Sequence, residues 1–553
     1  MICNYIIHFP FIFKRFYAIL ELIWNRLING DLVKFRAMEF IKSPYYRVGR
    51  ATDLTGRDYY IYRALEILSG LMAWTTIVLI FVASYYYPYQ AAIFIIIFDF
   101  YWLLKTAYLS IYLRQSWKKI RQSMEIDWEE RLENFKYNHI YQMVIFPFYN
   151  ESPEIVLKSL EALDRARWKN NFMIIVLAGE EKAKDNAHKV FQAVQEKYGK
   201  KFKHIVSTVH PASVPGEMAG KGSNIAYAAQ QTKIEMLDKN NIKYENVIVS
   251  AFDVDTIVYP HYFNCLTWYF LVSDDPYRTS FQPVPVFNNN IWESPAFSRV
   301  VAFSGTFWQM IQQERPEKLA TFSSHAVCFK ALYDMDYWQK NIVSEDSRIY
   351  WNAVLAFNGK YKVTPIYYPV SMDVNLASTF WQTAINVYKQ QRRWAWGAEN
   401  FPYIVFGFIK NKGISVFKKI SVTFVLVEGL WSWSTNSLII FLLGWAPIVL
   451  GGRKFDQTVI AYNMPILTKY LMVIAMSGLI LSALIMISFL PAKPKNTKPW
   501  SKFTMVIQWI IIPITIIVFG AIPAIDAQTR LMFKKYMGFW VTPKHRANLK
   551  KND

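Results

Sequence analysis

Apolar runs long enough to cross a lipid bilayer lie near both ends of the chain and leave a mixed region between them. Segments 65–87 and 91–113, separated by a turn at Pro88, predict a hairpin of two membrane-spanning helices. Basic residues lie on both sides of this hairpin, so both flanks are predicted to face the cytosol. Three further apolar segments follow the mixed region, at 422–450, 466–490 and 503–525.

The segments before and between these runs complete a predicted division of the chain. Residues 2–24 mix apolar and basic residues and predict an amphipathic helix at the membrane surface. Asp99, in the middle of the second span, is either a functional carboxylate or a neutral, internally paired one. The predicted parts are an interfacial region (1–62), the hairpin (63–114), a cytosolic domain (115–400), an interfacial helix (401–420), membrane segments (421–528) and a cytosolic tail (529–553).

Within the mixed region, short apolar runs alternate with segments of helical periodicity. Strands are predicted at 141–146, 172–178 and 204–209, with helices at 153–168 and 182–198 between them. Such alternation predicts an α/β domain whose mostly parallel sheet is covered on both faces by helices. Ligands of sheets of this kind bind at the carboxyl ends of the strands.

The next predicted strand, at 247–252, ends in the pair Asp253 and Asp255. Two carboxylates at this spacing suit Mg²⁺ or Mn²⁺, which completes its shell with water and with phosphate oxygens of a substrate. The pattern alone is weak, because Asp334 and Asp336 repeat it. That second pair follows no predicted strand, and we interpret it as solvent-facing polarity.

Composition favours a membrane protein with a soluble part: 53% of the residues are hydrophobic and 19% are charged. The net charge of +21 fits nucleic-acid binding, anionic lipid or an anionic substrate. Basic residues cluster beside the apolar spans, which favours membrane lipids as partners and argues against nucleic acid. Three scattered cysteines and eight scattered histidines indicate neither disulfides nor a zinc site.

Two further motifs carry candidate chemistry. Ser344-Glu345-Asp346 lies between helical segments, where adjacent acids usually face solvent. In the run 390–394, Gln390 and Arg393 could hold a diphosphate through planar donors, and Trp394 offers a flat face for a sugar ring. The alternative for this run is a basic and aromatic belt at the membrane surface.

The order of these motifs resembles that of the membrane-embedded family-2 glycosyltransferases, which include the cellulose, hyaluronan and mannan synthases. The matching positions are Pro147/Tyr149/Asn150/Glu151, Asp253/Asp255, Ser344/Glu345/Asp346 and Gln390/Arg393/Trp394. A fifth match, Phe539, Val541, Thr542 and Lys544, is similar to the FxVTxK gating loop of cellulose synthases. The resemblance implies a GT-A-type nucleotide-sugar-binding domain between membrane and interfacial helices.

The resemblance also implies roles for single residues. Asp346, beside Glu345, becomes the general base for the acceptor hydroxyl, and the metal on Asp253 and Asp255 neutralises the leaving diphosphate. Trp394 becomes the acceptor platform. The donor-binding residues implied are Asn150, Glu151, Glu180, Lys221, Gln390 and Arg393. Glu180 stands where the family commonly has aspartate. The nucleotide base is therefore undecided, and the donor is either a UDP-sugar or a GDP-sugar.

The expected function is processive, inverting synthesis of a polysaccharide at the plasma membrane, with the catalytic domain facing the cytosol. The alternatives are addition of one sugar to a lipid carrier and, from another class, a non-catalytic transporter or scaffold. Three spans after the domain would put the C-terminus outside, yet the tail is rich in lysine and carries the gating-loop match. We therefore expect either 422–450 or 503–525 not to span. The sequence names no accessory subunit.

Overall fold

A computed structural model describes residues 38–494 and 500–542, leaving aside the side chains of residues 477, 479 and 480. The predicted amphipathic helix at 2–24 and the gating-loop residue Lys544 lie outside the described residues.

Eight strands, counted over residues 38–494 and 500–542, form one mixed sheet of order β3-β2-β1-β4-β7-β6-β8-β5. Four of the seven neighbouring pairs are parallel, and β7 runs antiparallel to both of its neighbours. The strands are β1 (Tyr141–Pro147), β2 (Met173–Glu180), β3 (His204–His210), β4 (Val247–Ala251), β5 (Ile257–Val258), β6 (Thr279–Phe287), β7 (Ala326–Cys328) and β8 (Lys362–Met372).

The helices found in the same residues cover this sheet and extend beyond it. In chain order they are α1 (Gly56–Tyr86), α2 (Pro88–Glu125), α3 (Trp128–Leu132), α4 (Pro153–Asp164), α5 (Lys184–Tyr198), α6 (Lys221–Thr232), α7 (Tyr262–Leu271), α8 (Ala296–Gln313), α9 (Phe329–Asp334), α10 (Glu345–Ala356), α11 (Phe380–Ala395), α12 (Asn400–Lys410), α13 (Val416–Phe441), α14 (Ala446–Leu450), α15 (Gly452–Asp456), α16 (Val459–Ser488), α17 (Ser501–Ile507), α18 (Ile512–Ile516) and α19 (Ile522–Met532).

The centre of the sheet explains why the sequence forms it. All five residues of β4 and the middle five of β1 are buried, as expected for parallel strands covered on both faces. Val144 of β1 pairs with Ile175 on one side and Ser250 on the other, so the carboxyl ends of β1, β2 and β4 meet at one edge. The predicted fold class, an α/β domain with flanking helices inserted between apolar helices, is confirmed.

Five helices of the described chain are long and apolar enough to cross a membrane: Gly56–Tyr86, Pro88–Glu125, Val416–Phe441, Val459–Ser488 and Ser501–Met532. They correspond to the five predicted apolar segments, although their bounds differ. The second continues as helix to Glu125, well beyond the predicted end at 113, because hydropathy detects the apolar part of a helix and not its polar continuation.

The predicted interfacial segment 401–420 falls on two helices. Most of α12 is buried against the domain core, and residues 416–420 already belong to α13. This segment therefore joins the domain to α13 through a packed helix.

The last apolar run, Ser501–Met532, is broken by 3-10 and π turns, and its end lies against the beginning of α1. Gly70 of α1 permits this contact, since a Cβ there would lie 2.9 Å from the carbonyl oxygen of Gln528. Arg63 of α1 donates hydrogen bonds to the carbonyl oxygens of Leu531 and Met532, the last residues of α19. Residues 533–542, called the tail below, continue from this point to the domain.

Candidate active site

The loops at the carboxyl edge of the sheet, together with the first turns of α6 and α10, enclose one end of a cavity of about 970 Å³. Asp253 enters it from the end of β4, Lys221 from the first turn of α6, and Glu345 and Asp346 from the first turn of α10. Lys221 and Asp346, which are 125 positions apart in the sequence, thus lie within hydrogen-bonding distance.

Lys221 is the centre of this group. Its ammonium donates to Oδ1 of Asp253 at 2.7 Å and to both carboxylate oxygens of Asp346 at 2.8 and 2.9 Å. Glu345 lies 3.9 Å away. The side chain of Lys221 is only 8% exposed, so its charge is held almost entirely by carboxylates.

The electrostatics follow from burial and these contacts. Burial alone would lower the pKa of Lys221, but the charges of Asp253, Asp346 and Glu345 outweigh it and the pKa is raised. Burial, reinforced by the charge of Asp346, raises the pKa of Glu345 to about 8. Asp346 is the less buried of the two carboxyl groups, 23% exposed against 2% for Glu345, and is the one placed to accept a proton.

The two aspartates of the predicted metal pair differ in environment. Asp253 faces the cavity, and its Oδ2 accepts a hydrogen bond from the Ser323 hydroxyl at 2.8 Å. Asp255 is fully buried, and its Oδ2 accepts from the backbone N–H of Asp373 at 2.9 Å.

Hard oxygen donors of this kind suit Mg²⁺ or Mn²⁺. Within residues 38–494 and 500–542, no three His, Cys, Asp or Glu side chains form a metal-binding group. Of the predicted pair only Asp253 lines the cavity, so the residues present offer a cation one carboxylate directly, and donor phosphates and water would complete its shell. The ammonium of Lys221 already places positive charge beside Asp253.

Helix α11 carries the motif at 390–394, and its two arginines have different partners. Arg393 lines the cavity, and its buried Nε has no hydrogen-bond partner among the described residues. Arg392 points away, donating to Asp526 of α19 at 2.9 Å. Gln390 also lines the cavity and accepts from the Asn375 side chain at 3.4 Å. Arg393 is thus available to a ligand, whereas Arg392 ties α11 to α19.

Trp394 lies in an aromatic wall of the cavity. Its ring centre is 6.0 Å from that of Phe287 and 5.7 Å from that of Phe322, which meets it edge-on. Gly305 of α8 lies beside it, at 3.6 Å as measured from a Cβ built on that glycine. A half-buried indole held by rings on two sides is a rigid surface on which a sugar ring could stack.

The tail closes the site from the side of α6 and α11. The ring of Phe539 lies 5.0 Å from the guanidinium of Arg393. It also lies against Gly220, where a Cβ would be 2.7 Å from the ring. Val541 and Thr542 line the cavity, and the buried Thr542 hydroxyl has no hydrogen-bond partner among the described residues.

The tail is anchored upstream of these contacts. The hydroxyl of Tyr536 lies 2.9 and 3.1 Å from the two carboxylate oxygens of Glu66, a buried residue of α1. The guanidinium of Arg50 lies 5.3 Å from the centre of the Tyr536 ring.

The residues predicted to bind the donor separate into two groups. Glu180, at the end of β2, and Glu151, in the loop after β1, line the cavity, and burial raises the pKa of Glu180. Asn150 is exposed and is not among the lining residues.

The second aspartate pair, Asp334 and Asp336, lies outside the cavity lining. Asp334 pairs with Lys330, and Asp336 pairs with Arg47, in agreement with their interpretation as surface polarity.

Sequence reasoning missed three residues near the carboxylates. Ser323 binds Asp253, and Asp373 lines the cavity beside Asp255. His325 is fully buried with Nδ1 3.8 Å from Asp346, and its Nε2 accepts from the Trp338 indole at 3.3 Å. The cluster of polar residues at 323–325, directly before a short strand, is the signal that could have identified two of them.

The cavity continues from Trp394 between the apolar helices. Asp99 lines this part, with one carboxylate oxygen 3.3 Å from the Thr468 hydroxyl and the other buried without a hydrogen-bond partner in the described chain. Other polar residues of its wall are Lys105, Thr106, Gln309, Gln312, Arg315, Lys318, Glu428, Ser432, Asn436 and Ser437. The site and the long apolar helices therefore share one continuous cavity.

No protein-family model matches the chain, and no curated protein matches it in sequence. Among solved structures, the mannosyltransferase PcManGT from Pyrobaculum calidifontis, in complex with GDP-Man and Mn²⁺, is similar at a TM-score of 0.37 and 12% identity, covering 67% of this chain and 99% of that one. Residues 1–349 of TarS from S. aureus are similar at a TM-score of 0.34 and 14% identity, covering 63% and 91%. A further TarS structure contains UDP-GlcNAc.

Proposed function

We propose that this protein is a membrane-embedded, inverting glycosyltransferase that transfers a sugar from a nucleotide diphosphate to a growing glycan. The observation that carries this proposal is the single cavity in which Asp253, Lys221, Asp346, Arg393 and Trp394 face one another. Transfer from such a donor requires charge neutralisation at the diphosphate, a base for the acceptor hydroxyl and a surface that orients the acceptor. Each requirement has a candidate residue here.

In this proposal Asp346 accepts the proton of the acceptor hydroxyl. Arg393 donates to the departing diphosphate, and Lys221 adds a second positive charge from its place beside Asp253 and Asp346. Trp394 stacks on the acceptor sugar and directs its hydroxyl toward the donor. With one base and no second carboxylate acting as a nucleophile, displacement in a single step inverts the anomeric centre, as in single-displacement glycosidases.

Asp253, supported by Asp255, would hold a divalent cation, which when bound supplies further positive charge to the diphosphate. The ammonium of Lys221 donates a hydrogen bond to Oδ1 of this Asp253 carboxylate at 2.7 Å. A cation there would therefore share the Asp253 carboxylate with the hydrogen bonds from Lys221 and Ser323.

The proposed synthesis is processive, so that many sugars are added to one glycan before it leaves the protein. It is supported by the continuation of the cavity from Trp394 past Asp99 between the apolar helices, because a product that is extended repeatedly needs a path away from the site. The competing function is the addition of one sugar to a lipid carrier, which requires no such path. A transporter or scaffold would have no use for the contacts among Lys221, Asp253 and Asp346.

The proposal can be tested with the full chain in phosphatidylcholine nanodiscs, supplied in turn with UDP- and GDP-sugars plus Mg²⁺ or Mn²⁺. These donors come first because the sequence leaves UDP- and GDP-sugars open as alternatives. We expect nucleotide diphosphate release with one donor and products of many sugars when sized by gel or mass spectrometry. Products with a single added sugar would support the lipid-carrier function instead.

The variant Asp346→Asn tests the assigned base. Turnover should fall by at least about 100-fold, the usual contribution of general base catalysis, while binding of the donor is retained. The matched control is Asp336→Asn, which removes a carboxylate that is 64% exposed and remote from the cavity lining. Near-normal turnover of Asp346→Asn would exclude the base assignment, and the absence of transfer from every donor would exclude the proposed function.

A further inference from the structure

One face of α8 extends the cavity wall away from the acceptor platform. Gly305 lies beside Trp394, and Trp308, Gln309 and Gln312 follow on the same face at helical spacing. At a rise of 1.5 Å per residue, Gln312 lies about 10 Å along the helix from Gly305. Trp308 is 53% exposed although it lines the cavity, so this wall presents an aromatic and amide surface.

Basic residues lie at the far end of this wall. The Arg315 side chain is 11% exposed, and its buried Nε has no hydrogen-bond partner within residues 38–494 and 500–542. Its nearest carboxylate is that of Glu317, at 3.7 Å and 65% exposed. Lys318 also lines the cavity and makes no ion pair with any described residue.

A third cation, Lys105 of α2, lies in the same part of the cavity, but it is paired with Glu428 of α13. The ring of Trp102 also lies 4.2 Å from its ammonium. Glu428 pairs directly with Lys105 and acts on Lys318 from beyond ion-pair distance, while Arg315 has the exposed Glu317 as its ion-pair partner. Burial, followed by the charge of Arg315, lowers the pKa of Lys318.

Half-buried cations without a buried counter-ion are unfavourable, because they lose hydration and gain no compensating partner. The guanidinium of arginine keeps its charge and offers planar donors matched to carboxylate and phosphate. An anion that entered this part of the cavity would recover the lost interactions through charge-assisted hydrogen bonds. The position along the wall from Trp394 indicates that such an anion would belong to the acceptor and not to the donor.

We propose that Arg315 and Lys318 form a subsite for an anionic group, phosphate or carboxylate, on the acceptor glycan. This inference rests on the proposed function and narrows the class of acceptor. The anionic group lies beyond the sugar on Trp394, at a distance of at least about 10 Å. The acceptor is accordingly a phosphate-linked lipid primer or a glycan with acidic sugars, and both present the same chemistry to these two side chains.

Binding can be measured without turnover, on the full chain in phosphatidylcholine nanodiscs by thermophoresis. Two matched pairs of probes separate the sources: farnesyl phosphate against farnesol, and trigalacturonic acid against its trimethyl ester. In at least one pair we expect the anionic member to bind about tenfold more tightly, as one charge-assisted hydrogen bond gives. This advantage should disappear in the double variant Arg315→Gln/Lys318→Gln and persist in Lys239→Gln, which changes an exposed lysine.

A preference for farnesyl phosphate would indicate a lipid-linked primer, and a preference for trigalacturonic acid an acidic glycan. Equal binding within both pairs, or an unchanged preference in the double variant, would overturn the proposal. UDP and GDP binding to the double variant, expected to match wild type, checks that the variant is folded. Failure of the proposed function would appear separately, as a lack of transfer from every nucleotide sugar.

Discussion

Lys221 gives the sharpest test of the candidate site, because its ammonium is shared by Asp253 and Asp346 and lies 3.9 Å from Glu345. Replacing Lys221 by Met keeps most of the side-chain volume and removes the charge. Three neighbouring carboxyl groups then face one another with no cation. The stability of Lys221→Met relative to wild type therefore measures how strongly the site depends on this one positive charge.

Breaking a fully buried ion pair costs about 3 to 5 kcal/mol. The carboxylates here are partly hydrated, with Asp253 31% and Asp346 23% exposed, so water screens part of the repulsion. We therefore expect Lys221→Met to destabilise the domain by about 2 to 3 kcal/mol. For a domain of this size that is a decrease in Tm of roughly 5 °C.

The assay is thermal unfolding of the full chain in nanodiscs, with EDTA and again with Mg²⁺ or Mn²⁺. If Asp253 holds a divalent cation, the added metal should restore much of the lost Tm in Lys221→Met and change wild type less. Lys201→Met, which removes a surface ion pair to Asp164, should change Tm by no more than about 2 °C. An unchanged Tm in Lys221→Met would refute the electrostatic reasoning, and a decrease that no divalent cation reverses would refute the metal assignment.

Three further predictions follow from the surroundings of the site. Arg393→Lys should raise KM for the donor by about tenfold, because lysine cannot offer the planar pair of donors. Arg392→Lys should leave KM nearly unchanged and lower Tm. Steady-state kinetics and thermal unfolding distinguish the two variants. Gly220→Ala places a methyl group 2.7 Å from the Phe539 ring at a φ of +154°, so it should displace the tail and reduce turnover more than Phe539→Ala does. A protease site added after residue 553 should be cut only from the side of the membrane that carries the catalytic domain, and cleavage from the opposite side alone would remove the tail from the site.

The sequence predicted the parts of this molecule that depend on local pattern. The buried strand before Asp253 and the alternation of strands and helices follow directly from hydrophobic periodicity, and both are present. The motif residues Lys221, Asp346 and Arg393 were also chosen from the sequence, and the fold brings them into one cavity. Their choice rested on the resemblance to family-2 glycosyltransferases, because the local pattern around each of them does not single it out.

Other features could not be anticipated because they depend on contacts between distant segments. The sequence at 392–393 does not indicate which of the two arginines faces the cavity. Arg392 faces away because it binds Asp526, which lies more than 130 positions later in the chain. The polar cluster at 323–325 marks Ser323 and His325 in the sequence, but they reach the site because β7 pairs antiparallel between β4 and β6. The weakly balanced charges of Arg315 and Lys318 follow only from the three-dimensional arrangement of the cavity that they line.

The anchoring of the tail to Glu66 and the capping of α19 by Arg63 have a consequence for biosynthesis. Phe539 emerges from the ribosome roughly 190 residues after Asp346, which corresponds to about 10 to 40 s of translation at 5 to 20 residues per second. During that interval the domain can already bring its carboxylates together, while the tail that covers them does not yet exist. The enclosure of the site therefore comes after its carboxylates have been made, and a product truncated before Phe539 would carry the same reactive groups without their cover.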